Sequence, residues 1–278
     1  MTILVSPQWL NNRLNDPSVI VVDASIDFQI PGEAEKDKIH IIPGARRFDY
    51  DKVFCDAESS LPHMMPTEER FNLLAQDLGL NQDSTIVVYD NSGVFASPRA
   101  WWMFKAMGHD NVMILDGGLT AWKSNGYQLE TSYHQMPEPG NFTGKLNPIA
   151  FVDANYVLEQ IESANSLTID ARSKERFSAQ VAEPRPGVRS GHIPNSVCIP
   201  FAELIDGNRL KSKQELLPYF QDIIDHQPDE LIFSCGSGVT ACIVLLAAVL
   251  VDIPQSGLRV YDGSWTEWGQ NQALPIEQ

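Results

Sequence analysis

Positive charge is scarce in this chain. Lys and Arg number 20 against 36 Asp and Glu, which gives a formal net charge of −16 and a pI near 4.7. Nucleic acid is excluded as a partner, because its phosphates need a basic footprint. An anionic small molecule would be repelled at long range, so a site for one must supply its own cations. Long apolar runs are missing as well. The longest, Ala241 to Val251, is too short to cross a bilayer, so no membrane partner is expected. The N-terminus, Met1-Thr-Ile-Leu-Val-Ser-Pro, lacks the basic start, apolar stretch and small-residue cleavage site of an export signal. Cysteine is sparse: Cys55, Cys198, Cys235 and Cys242, with no CxxC spacing and no His partner pattern. Structural zinc is therefore not expected. A chain without an export signal keeps its thiols reduced, and the expected location is cytoplasmic.

What is present is an ordinary globular composition, 43% hydrophobic and 20% charged, over 278 residues. That length favours two domains, each large enough to bury its own core. Internal similarity supports the division. Ile20-Val-Val-Asp23-Ala parallels Leu167-Thr-Ile-Asp170-Ala, and Ile42-Pro-Gly-Ala45 parallels Ile193-Pro-Asn-Ser196. Ile86-Val-Val-Tyr-Asp90 with Gly93 parallels Leu231-Ile-Phe-Ser-Cys235 with Gly238. Leu115-Asp-Gly-Gly118 with Trp122 parallels Tyr261-Asp-Gly-Ser264 with Trp268. The blocks keep their order at nearly constant spacing, so the chain reads as one domain duplicated rather than as a solenoid. Residues 1–130 form the first copy and 151–278 the second. Pro137, Pro139, Gly140, Gly144 and Pro148 mark residues 131–150 as the connector.

Within each copy, short β-branched runs alternate with helical stretches. The strands expected are Val19–Asp23, Thr85–Tyr89 and Val112–Leu115, then Leu167–Asp170, Glu230–Ser234 and Leu258–Tyr261. The helices expected are Thr67–Leu78, Ser97–Met107 and Leu119–Asn125, then Glu215–Ile224, Thr240–Val251 and Ser264–Asn271. This alternation gives an α/β fold, each copy a mainly parallel sheet flanked by helices. Ligands in such sheets sit beyond the carboxyl ends of the strands.

That rule points to Cys235. The strand ending at Ser234 is followed by Cys235-Gly-Ser-Gly-Val-Thr240 and then an apolar helix. Gly236 and Gly238 let the backbone turn tightly so that successive N–H groups converge as a nest. The helix N-terminus adds unsatisfied donors and partial positive charge. Both favour an anionic sulfur on Cys235 and, equally, a persulfide anion, with the Ser237 and Thr240 hydroxyls as further donors. Cys242, inside the apolar helix, and Cys198, in a strand, read as structural. The first copy has Asp90-Asn-Ser-Gly93-Val in place of Cys235-Gly-Ser-Gly238-Val, and a carboxylate carries no sulfane sulfur. The first copy is therefore expected to be catalytically silent.

With these motifs in view, the chain resembles the tandem-domain rhodanese superfamily, and within it the 3-mercaptopyruvate sulfurtransferases. The resemblance runs from about Val5 to Pro275. It is carried by the Cys235 loop, Leu61-Pro-His-Met-Met-Pro66, Ser97-Pro-Arg-Ala-Trp-Trp102, Gly191-His-Ile-Pro194 and Tyr261-Asp-Gly-Ser-Trp265. It implies two rhodanese-like domains and transfer of sulfur from 3-mercaptopyruvate through a Cys235 persulfide to a thiol or cyanide, with release of pyruvate. It further implies Cys235, Ser237 and Thr240 as catalytic residues and Gly236, Gly238 and Val239 as the substrate-lining loop. Arg176 and Arg185, nine residues apart, match the family's two substrate-binding arginines; the bland alternative is that they balance Glu175 and Glu183. The partners implied are a small sulfur donor and a thiol acceptor such as thioredoxin or a small thiol, with no cofactor and no metal. Thiosulfate-preferring relatives carry basic residues in the loop, whereas positions 236–240 here are uncharged. A phosphatase would need an Arg six residues after the cysteine, where Ala241 stands. Some relatives place a His just before the first Ile-Pro-Gly; Ile41 stands there, and no histidine is assigned a catalytic role. A thiosulfate sulfurtransferase and a non-enzymatic persulfide carrier are the competing readings.

Overall fold

The computed structural model describes residues 2–134 and 138–278. Two units emerge from it, one made of Met1–Glu58, Met65–Asn147 and Asp206–Leu210, the other of Ser59–Met64, Pro148–Ile205 and Lys211–Gln278.

The first unit runs β1 (Leu4–Val5), α1 (Pro7–Asn11), β2 (Val19–Asp23), β3 (Arg46–Arg47), α2 (Glu68–Asp77), β4 (Thr85–Tyr89), α3 (Ser97–Ala106), β5 (Val112–Leu115) and α4 (Gly118–Ser124). Its sheet has the order β1-β5-β4-β2-β3, and every pairing is parallel. The central strands β2 and β4 are buried from their second residue onward, because helices cover both faces; hence their β-branched runs without polar alternation. Helix starts are chemically marked. Ser6 and Thr67 accept the backbone N–H three residues on, and Pro7 and Pro98 occupy first turns, where no N–H is needed. The core joins Val21, Val87, Tyr89, Leu115, Leu119 and Trp122, all buried.

The second unit repeats the plan. It runs β6 (Phe151–Val152), α5 (Ala154–Gln160), β7 (Ser166–Asp170), α6 (Lys174–Phe177), β8 (Ser196–Cys198), α7 (Lys213–His226), β11 (Glu230–Ser234), α8 (Ala241–Leu250), β12 (Leu258–Tyr261) and α9 (Ser264–Gln270). The short strands β9 (Ile205–Asp206) and β10 (Arg209–Leu210), between β8 and α7 in the chain, fall in the first unit apart from Ile205. The sheet order β6-β12-β11-β7-β8 is the first sheet's order strand for strand, again all parallel. A capping box between Ser212 and Glu215 starts α7 two residues ahead of the expected Glu215. Helix α8 is buried from Ala241 to Val249, which explains an apolar sequence with no polar face. Trp265 and Trp268 anchor the core with Ile232 and Tyr261, so Trp268 repeats the part of Trp122.

Of the expected connector, residues 131–150, Gln135, Met136 and Pro137 lie outside the described residues. Its later part packs on the first unit. Phe142 is fully buried, 5.8 Å from the Phe71 ring, and its carbonyl accepts from Gln76 Nε2 at 2.8 Å. Lys145 N–H donates to the Met107 carbonyl at 2.9 Å.

Candidate active site

Asp90 and Cys235 each stand one residue past the end of the central strand of their sheet, β4 and β11 respectively. Each is followed by a tight loop into a helix. In the second copy Gly238 takes φ +78, a left-handed conformation open to glycine at little cost, and its N–H faces back toward the strand end. That amide donates to Cys235 Sγ at 3.1 Å. Cys235 is 1% exposed, and a hydrogen bond to sulfur gains strength in such a poorly solvated place. Thr240 is the N-cap of α8 and makes no side-chain cap, so the helix end presents backbone donors beside the loop.

The first copy shows what this loop geometry binds. The Asp90 carboxylate accepts from the backbone N–H groups of Ser92 at 3.2 Å and Gly93 at 2.8 Å on Oδ1. Its Oδ2 accepts from those of Phe95 at 3.0 Å and of Ala96 and Ser97 at 2.9 Å. Five amides enclose one built-in anion. By chain position the second copy aligns Ser237, Gly238, Thr240, Ala241 and Cys242 with these five. The Gly93–Asp90 bond has its counterpart in the Gly238–Cys235 bond. The Cys242 N–H differs, donating to the Val239 carbonyl at 3.1 Å.

The two expected arginines take different partners. Arg176, in the single turn of α6, is gripped by both oxygens of Glu183, through Nε at 3.0 Å and a shorter contact from Nη2. Its Nη2 also lies 3.6 Å from where a Cβ on Gly236 would stand, so Gly236 leaves room for the guanidinium against the loop. Arg185, on an exposed segment, donates through Nη1 to the Thr266 hydroxyl. Arg176 thus does pair with Glu183, as the bland alternative anticipates, while Arg185 reaches α9, whose Thr266 is hydrogen-bonded to Gly236 of the loop. Ser237 and Val239 are buried, and Thr240 is half-buried at the head of α8.

Three residues of this neighbourhood escape the sequence reading. Arg172 is 2% exposed. It forks onto Asp170, donating from Nε at 3.0 Å and Nη2 at 2.6 Å to Oδ2, and reaches Glu183 through Nη1 at 2.8 Å. It also stacks over Trp265 at 4.3 Å. Burial alone would lower its pKa, but Asp170 and then Glu183 hold it above the ordinary guanidinium value. Ser264 accepts the Cys235 N–H, and Thr266 contacts Gly236 twice. The only sequence signals were the Asp-Ala-Arg triplet against Asp-Ala-Ser in the first copy, and Ser264 where that copy has Gly118.

The remaining cysteines are poor nucleophiles. Burial, and then the Asp170 carboxylate, push the Cys198 thiol up to about 12; burial also raises Cys55. Cys242 Sγ is turned to the Gly238 carbonyl at 3.4 Å.

The rhodanese-like domain family matches residues 6–125 and again 153–271. The chain is 40% identical to the 3-mercaptopyruvate sulfurtransferase of Escherichia coli K12 over 281 residues, covering 99% of this chain and 98% of that protein. It is 39% identical over 301 residues to the mitochondrial thiosulfate/3-mercaptopyruvate sulfurtransferase 1 of Arabidopsis thaliana, covering 99% of this chain and 78% of the relative. Among solved structures, the crystal structure of the E. coli 3-mercaptopyruvate sulfotransferase SseA superposes with a TM-score of 0.81 at 37% identity, covering 95% of this chain and 99% of that one. Two copies of one sheet order, a cysteine at the mouth of the second and a sequence match across both place this chain in the rhodanese-like domain family.

Proposed function

We propose that the protein is a 3-mercaptopyruvate sulfurtransferase that carries sulfur as a persulfide on Cys235. One observation supports the site above all: Gly238 N–H donates to Cys235 Sγ in a loop whose twin holds an anion on five amides. A persulfide is an anion one atom longer than a thiolate. Its outer sulfur would extend toward the Thr240 and Ala241 amides, aligned with two of the three that hold Asp90 Oδ2.

The cycle is a double displacement. Arg176 and Arg185 hold the carboxylate and ketone of mercaptopyruvate, for which planar guanidinium donors are suited. The Cys235 thiolate attacks the donor sulfur and the carbon–sulfur bond breaks toward carbon, expelling pyruvate enolate. The enolate takes a proton from Ser237, Thr240 or water, and pyruvate leaves. A thiol acceptor, such as thioredoxin or a small thiol, then attacks the outer sulfur and returns the Cys235 thiolate. The uncharged loop residues Gly236, Gly238 and Val239 line the donor. These steps call on no metal and no organic cofactor.

In this reading residues 1–130 are the silent copy, 131–150 connect, and 151–278 catalyse. Among the described residues no helix is long and apolar enough to cross a membrane. All four cysteines are free thiols, and the chemistry needs a reducing compartment such as the cytoplasm. Thiosulfate is a second candidate donor, favoured by the double name of the Arabidopsis relative. Steady-state comparison tests the choice: kcat/KM is expected to be higher for mercaptopyruvate, and a higher value for thiosulfate would reverse the assignment.

A further inference from the structure

We propose that Thr266 is a positioning residue that sets donor preference by tying Arg185 to the backbone of the Cys235 loop. The inference rests on reading Arg185 as the carboxylate clamp. Arg185 is exposed and its side chain is long, so on its own it would sample many rotamers. Thr266 removes that freedom. Its hydroxyl has one hydrogen, which goes to the Gly236 carbonyl at 2.6 Å; the oxygen therefore meets Arg185 Nη1 as an acceptor.

The other end of the tie is rigid. Thr266 N–H also donates to the Gly236 carbonyl, at 2.9 Å, and the neighbouring Trp265 N–H donates to the Cys235 carbonyl at 2.9 Å. Two consecutive amides of α9 are thus stapled to two consecutive carbonyls of the loop. Thr266 is 7% exposed, and its β-branch limits χ1. Arg185 spends one of its five donors on Thr266, which leaves a bidentate edge for a carboxylate. The carboxylate clamp and the sulfur-bearing loop consequently keep a fixed separation, which suits a donor carrying both groups.

The test is a double-mutant cycle read with two donors, mercaptopyruvate and thiosulfate. Thr266→Val keeps the shape and removes the hydroxyl. It should raise KM for mercaptopyruvate about 5- to 10-fold, the scale of one hydrogen bond. Its kcat, and its KM for thiosulfate, should stay within about twofold. Thr266→Ser should restore the low KM, and Arg185→Gln/Thr266→Val should be no worse than Arg185→Gln alone. Thr266→Ala replaces the valine variant should that one fail to fold. Unchanged KM for mercaptopyruvate, equal shifts for both donors, or additive effects in the double mutant would each overturn the proposal. If Arg185→Gln itself leaves that KM unchanged, the clamp reading fails first and the tie falls with it. If Arg185→Gln raises KM and Thr266→Val does not, only the tie fails.

Discussion

The Ser264 hydroxyl accepts the backbone N–H of Cys235 at 3.1 Å while donating to the Tyr261 carbonyl at 2.9 Å. Ser264 does so at φ +50, a conformation unfavourable for a residue with a Cβ. The first copy has Gly118 at φ +54 there, where a Cβ would come within 2.4 Å of the Gly93 carbonyl oxygen. The second copy thus accepts backbone strain in return for a side-chain grip on its cysteine.

Ser264→Ala keeps the strain and orphans a buried amide, which costs about 1–3 kcal/mol. Ser264→Gly loses the same bond but relieves strain of about 1 kcal/mol. Urea unfolding should therefore rank the wild type first, Ser264→Gly second and Ser264→Ala last. An alanine variant as stable as the wild type would mean that the hydroxyl contributes nothing to holding Cys235.

Asp90 is held by five amides and by the Ser97 hydroxyl at 2.8 Å, so its replacement tests the loop as an anion cradle. Asp90→Asn turns a donor toward groups that already donate. It should destabilise the protein by more than about 3 kcal/mol, because several charge-assisted bonds are weakened together. A loss below about 1 kcal/mol in chemical denaturation would show that the amides do not require an anion.

Arg172 is the cation of a buried network in which the Asp170 and Glu183 side chains are 3% and 4% exposed. Removing one member strands the others. Arg172→Met should cost about 3–5 kcal/mol and should lower the thermal midpoint. Thermal stability equal to the wild type would show that the carboxylates find other partners.

Cys198 supplies a pH prediction. Its folded-state value of about 12 lies above that of an unfolded thiol, so the stability tied to its burial is complete below about pH 8.5 and is lost as pH climbs toward 12. In a Cys235→Ser background, alkylation of Cys198 should rise about tenfold per pH unit from 8 to 11 without levelling off. A plateau near pH 9 would contradict the raised value.

Much of this was legible in the sequence because the chain repeats itself. The buried parallel strands Thr85–Tyr89 and Glu230–Ser234 fall where their β-branched runs put them. The cysteine sits at the strand end, as the alignment with Asp90 requires. The edge strands β1, β3 and β6 were not legible, since two residues carry no period, and β8 was legible only as the strand that holds Cys198. Arg172, Ser264 and Thr266 were missed for another reason. Each acts through a contact across the fold to a backbone group or a buried carboxylate, and neither residue type nor local spacing encodes that. Glu183 appeared in the sequence only as a charge balancing Arg176; its second partner, Arg172, makes it the link between a buried ion pair and the arginine beside the Cys235 loop.

Intact mass spectrometry after brief mixing with mercaptopyruvate tests the central claim most directly. The wild type should gain the mass of one sulfur atom, localised to Cys235 and discharged by a thiol, and Cys235→Ser should gain none. Sulfur carried on another cysteine, or pyruvate released at the wild-type rate by Cys235→Ser, would contradict the account.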